Sequence, residues 1–94
     1  MALARVVTFE GVDSARMEQM NQEMADSEPP EGMPATELIV LHDPDTDTSV
    51  AIVFFDNEDD YRVGDEILNA MPAADTPGRR TSVTKYNVAV RMSV

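Results

Sequence analysis

"ELIVLHDPDTDTSVAIVFF", residues 37–55, decides how the rest of the chain is read. Two apolar runs, "ELIVLH" and "SVAIVFF", flank the polar "DPDTDT". Pro44 presets a turn, and Asp43 and Thr46 can close it with local hydrogen bonds. The pattern predicts a β-hairpin with a longer-than-minimal loop. Neither run alternates polar with apolar. A strand with one face in water alternates, so both runs predict a sheet buried on both sides.

Outward from the hairpin, each half of the chain supplies a strand and a helix. "ARVVTFEG" is β-branched and aromatic and ends on Gly11, which predicts a strand over residues 4–10. "VDSARMEQMNQEMADS" follows, with Asp13 or Ser14 as N-cap. Met17, Met20 and Met24 recur at i, i+3 and i+7, one stripe of a helix. Such a stripe can bind a soft metal or a flexible partner, but its commonest use is core filling, and the reading is core. "EPPEGMPAT" carries three prolines and a glycine and must be a loop, with residues 28–35 long enough to lid a pocket.

After the hairpin, "DNEDDYRVGDEILNAMP" is the second helix. Asn57 is its N-cap, and Glu58, Asp59 and Asp60 suit the positive end of the helix dipole. Tyr61, Gly64, Leu68 and Met71 share one face, and Pro72 ends the helix. Gly64 costs roughly 1 kcal/mol of helix propensity relative to alanine, which predicts a close approach to the sheet. "AADTPGRR" is a loop, and "TSVTKYNVAVRM" alternates cleanly as a last strand.

The order is β-α-β-β-α-β in one domain, residues 1–94. It predicts an α+β, ferredoxin-like fold: a four-stranded antiparallel sheet with two helices on one face. The other face would then expose apolar side chains of both hairpin strands. The simplest closure is a homodimer with the two sheets face to face.

Composition narrows the partners. Eighteen acidic residues against seven basic give a net charge of −11, which repels nucleic acid and anionic membranes. No cysteine is present, which removes disulfides, zinc–thiolate sites and thiol nucleophiles. With no apolar run long enough for a signal or a membrane span, the expectation is a cytoplasmic protein.

The element order, the two doubly apolar strands and "PGRRTSVTKYNVAV" running straight into the last strand resemble the dimeric α/β-barrel superfamily. That group includes antibiotic-biosynthesis-type monooxygenases, stress-responsive barrel proteins and muconolactone-isomerase-like proteins. The resemblance implies a homodimeric barrel. It also implies oxygenation or isomerisation of a small organic molecule without metal or flavin, and so no cofactor. Its rival is a non-catalytic ligand-binding or stress-related dimer. In the monooxygenase-like members, asparagine, tyrosine, tryptophan or arginine side chains hold the substrate between sheet and helices. Tyr61, Tyr86 and Asn87 are the residues of those types here. Haem-degrading members use histidine and tryptophan, and this chain has no tryptophan.

Three further features are candidates for chemistry. His42 is the sole histidine and shares strand parity with Leu38 and Val40; alone beside a turn, it reads first as structural. Asp43, Asp45 and Asp47 match the first three positions of a calcium loop. However, Thr48 stands where glycine is needed and Phe54 where glutamate is needed, so no metal site is assigned. Arg79 and Arg80 form a cationic pair that, with Arg5, could hold a carboxylate or phosphate, or else ion-pair with the abundant acids.

Overall fold

A computed structural model describes residues 2–26, 28, 32–70 and 78–94. Among the described residues six elements follow in the expected order: β1 (Leu3–Glu10), α1 (Ser14–Asp26), β2 (Glu37–Asp43), β3 (Thr48–Phe55), α2 (Glu58–Asn69) and β4 (Arg79–Asn87). The sheet order is β2-β3-β1-β4, antiparallel throughout. This is the split βαβ topology of a ferredoxin-like α+β fold.

The hairpin closes where the sequence places it. Asp43 Oδ1 accepts from the Asp45 amide at 3.0 Å, and the Thr46 and Thr48 hydroxyls lie 2.8 Å apart. Asp47 turns the chain at φ 54°, a left-handed conformation that aspartate tolerates better than most residues. Its carbonyl accepts from the Val12 amide at 2.7 Å, tying the hairpin tip to the start of α1.

Register sorts the side chains onto two faces. Leu3, Arg5, Val7 and Phe9 of β1 lie beside Phe55, Val53, Ala51 and Ser49 of β3. Leu38, Val40 and His42 of β2 extend that row. Both helices lie over this face, but they use it differently. Under α2, the buried residues Leu3, Val53, Phe55 and Tyr61 pack with Leu68, Met33 and Ala35. Phe55 and Tyr61 meet edge to face, with centroids 5.4 Å apart. Met33 and Ala35, from the proline-rich loop, thus supply core; Pro29, Pro30 and Glu31 of that loop lie outside the described residues.

The cap on α2 is the expected one. Asn57 is extended and its side chain accepts from the Asp60 amide at 2.8 Å. Asn57→Ala should cost about 1 kcal/mol, read as a lower urea midpoint at unchanged slope. The helix ends at Asn69, whereas Met71 and Pro72 lie outside the described residues.

α1 departs from expectation. Asp13 caps it by accepting from the Arg16 amide at 2.7 Å. Yet none of its residues is buried. Met17 reaches the small cluster of Val7, Phe9 and Val12, while Met20 is half-buried and Met24 exposed. The stripe read as core is only partly covered, because α1 stands away from β2.

The last strand is also shorter than its alternation suggests, ending at Asn87 instead of Met92. Leu3 is the last residue of β1 with a partner in β4, so the ladder has nothing further to pair. The Val88 amide donates to the Ala2 carbonyl at 3.0 Å, and the tail leaves the strand. Arg91 then stacks 4.7 Å over Phe54 and bonds Glu37, carrying the tail across the open face toward β2.

Candidate functional site

The gap between α1 and β2 is a groove of about 580 Å3. Met17, Met20 and Met24 form its helix wall, and Leu38, Val40 and His42 its floor. Ser14, Glu18 and Asn21 add polar groups. An apolar cleft of this size with a few polar groups is the usual form of a small-molecule site. Strand parity places His42 here, on the same row as Leu38 and Val40.

His42 is half-buried, and its Nε2 lies 2.8 Å from the Val12 carbonyl oxygen. A carbonyl can only accept, so Nε2 carries the proton and donates it. In the neutral ring this leaves the lone pair on Nδ1. Beside it, Ser49 is buried and its hydroxyl donates to the Leu41 carbonyl at 2.8 Å, which satisfies it.

The other residues singled out in the sequence do not gather at this groove. Tyr61 sits in the core beneath α2, with Lys85 over its ring at 5.1 Å. Burial raises its phenol above the ordinary value, and the nearby Asp65 carboxylate adds to the rise. The native state therefore favours neutral Tyr61. That stabilising term is complete below the unfolded phenol's pKa and is lost as pH climbs through the raised folded value. Tyr86 lies on the opposite face of the sheet, 54% exposed. Asn87 closes β4 opposite Leu3, far along the sheet from the hairpin end that carries His42.

The arginine pair is split by the sheet. Arg79 pairs with Glu10 on the open face. Arg80, aligned with Phe9, donates to Asn69 Oδ1 at 2.9 Å on the helix face. Arg5 is 4% exposed, bonds Asp65 at 2.8 Å and reaches the same Asn69 oxygen at 3.0 Å. Asn69 in turn donates to Asp65 at 3.3 Å. The three arginines are thus engaged with protein groups: Arg5 and Arg80 tie β1 and β4 to α2, and Arg79 joins β4 to β1.

The sequence reading placed the groove's methionines in the core and Ser14 at the helix cap, and did not single out Glu18 or Asn21. The methionines' signal was present: apart from alanine, methionine is the sole apolar residue type on α1. A helix with only that to bury adheres weakly. Among the described residues, no three acid or imidazole groups gather as ligands for a metal ion, and no helix is long and apolar enough to cross a membrane. Comparisons of the chain with protein-family models, with curated proteins and with solved structures found no match.

Proposed function

We propose that the protein is a homodimeric binding module that takes a small, largely apolar organic molecule into the groove between α1 and β2. The methionine stripe of α1 carries this reading. A thirteen-residue helix that buries none of its side chains fully gains little from packing, and isolated helices of that length are marginal in water. An occupant touching Met17, Met20 and Met24 on one side and Leu38 and Val40 on the other would supply the missing burial. Methionine's flexible thioether lets such a wall adapt to its ligand.

The dimer rests on the other face. Val6, Val50, Ile52 and Phe54 are partly exposed there, and Ile39, Leu41 and Tyr86 openly so. A contiguous apolar sheet face of this kind is closed most simply by the same face of a second copy, as in the barrel-type dimers that the chain resembles. Catalysis is the weaker reading. Proton transfer in the groove would fall on His42 with no second group from the tyrosine and asparagine set beside it.

The organic-ligand reading is tested with N-phenyl-1-naphthylamine, an uncharged dye that brightens in apolar surroundings. It should bind saturably, one dye per chain. Met20→Glu should weaken it at least tenfold, while Val63→Glu, on the exposed side of α2, should leave it unchanged. Absence of saturable binding, or equal loss in both variants, would remove the groove as the site.

A further inference from the structure

The end of the groove near His42 has a chemistry that an organic ligand does not require. α1 runs back along β2, so its first two methionines, Met17 and Met20, lie toward the His42 end, with Met24 toward Leu38. All four of His42, Met17, Met20 and Met24 line the same space. We propose that this end of the groove binds a soft monovalent metal ion, Cu(I), through the His42 imidazole and the thioethers of Met17 and Met20.

The ligand types point to that class of ion. Thioether sulfur is uncharged and polarizable and selects Cu(I), whereas calcium, magnesium and manganese prefer carboxylate or carbonyl oxygen. Imidazole serves copper as well. Residues three apart on a helix project to the same side, so Met17 and Met20 can both turn toward one ion. Three rotatable bonds per side chain let them do so without moving the backbone.

The setting of His42 is the independent observation. Metal-bound histidines generally donate their other ring N–H to a carbonyl or carboxylate, which fixes tautomer and ring orientation. His42 makes this bond to the Val12 carbonyl at 2.8 Å, leaving the Nδ1 lone pair as the ligand atom. A backbone carbonyl just ahead of α1 thus anchors the imidazole beside the methionine wall.

Charge agrees. Neutral sulfur and imidazole ligands leave the ion's positive charge uncompensated in the first coordination sphere. Glu18 in the groove wall and a net charge of −11 on the chain both favour a cation there. The absence of cysteine means that no thiolate elsewhere in the chain competes for the ion. An ion at this end leaves the Leu38 and Met24 end open, and the claim does not depend on the organic-ligand reading.

The test uses the intact chain, labelled with 13C in its methionine methyls and titrated with Ag(I), a redox-inert stand-in for Cu(I). One equivalent should shift the methyl signals of Met17 and Met20 and the ring signals of His42. Met33, in the core under α2, and Met92, in the tail, should not move. Zn(II) and Ca(II) at the same concentration should shift none of these. In anaerobic competition with bicinchoninate, the Met17→Leu/Met20→Leu pair and His42→Asn should each weaken Cu(I) binding at least tenfold. Leucine conserves side-chain volume, so the pair tests the sulfur and not the packing. The proposal is overturned if Met33 and Met92 shift together with Met17 and Met20, if Zn(II) reproduces the Ag(I) shifts, or if the leucine pair keeps its affinity. Because the titration is made on the unmodified sequence, it decides the matter even where a variant folds poorly.

Discussion

Gly64→Ala should lower the stability of this fold by about 2 kcal/mol, although alanine is the better helix former. On an open helix surface the same change gains roughly 1 kcal/mol. Here a Cβ at position 64 would stand 2.2 Å from Phe55 Cε1 and 2.4 Å from Cζ, well inside contact distance. Phe55 is fully buried, packed among Leu3, Val53 and Tyr61, so its ring has nowhere to retreat. The clash must be absorbed by lifting α2 or by forcing the ring off its rotamer. Urea unfolding reads the cost directly. A second background identifies its cause. With Phe55→Leu the ring edge is gone, and the alanine should cost less by about 1 kcal/mol or more, a coupling typical of residues in contact. An alanine variant as stable as the parent would show that α2 does not sit this close to the sheet.

The second large effect concerns the open sheet face. Ile39→Glu with Leu41→Glu should convert a dimer into a monomer, weakening association at least a hundredfold, about 2.8 kcal/mol. Both side chains are exposed on the single chain, Leu41 at 52%, so the fold itself should not suffer from losing them. In a face-to-face dimer they become interfacial, and each substitution counts twice. Four carboxylates placed between two sheets would have to be desolvated without partners, at several kcal/mol each. Sedimentation equilibrium should give the mass of two chains for the parent and one for the variant, with unchanged circular dichroism. A parent that sediments as one chain at micromolar concentration would end the dimer reading.

Much of the architecture was legible because local and global signals agree. The hairpin is set by Pro44 and its aspartates, α2 by Asn57 and three acids in its first turn, and β1 by its β-branched run. Gly64 announced close packing by its helix cost, and Phe55 is what it approaches. The misreadings have a common physical origin. Periodicity states which residues share a face, not whether anything covers that face. Met17, Met20 and Met24 do share a stripe, but α1 stands off β2 and leaves them lining a groove. The alternation through Met92 is real as a pattern, but a ladder continues only while a neighbouring strand does, and β1 starts at Leu3. For the candidate site, strand parity placed His42 with Leu38 and Val40. Its bond to the Val12 carbonyl lies 30 positions away in sequence and has no local signature. Arg79 and Arg80 read as one cluster because adjacent residues look close in a sequence, while in a strand they point to opposite sides.

The position of β1 bears on how the chain acquires this structure. It is the first of the four strands to be synthesised, and it ends as one of the sheet's two inner members, between β3 and β4. Glu10 finds Arg79 only 69 positions later. Neither flank of β1 can be satisfied by its immediate successor, since β2 settles at the far edge. The nascent chain therefore carries β1 unpaired until β3 has been made, and with one edge still open until β4 follows. Topologies rich in such distant pairings fold slowly, and bare strand edges are where growing chains stick to one another. The same arrangement that gives the finished sheet its most protected strand makes that strand the most vulnerable segment during translation.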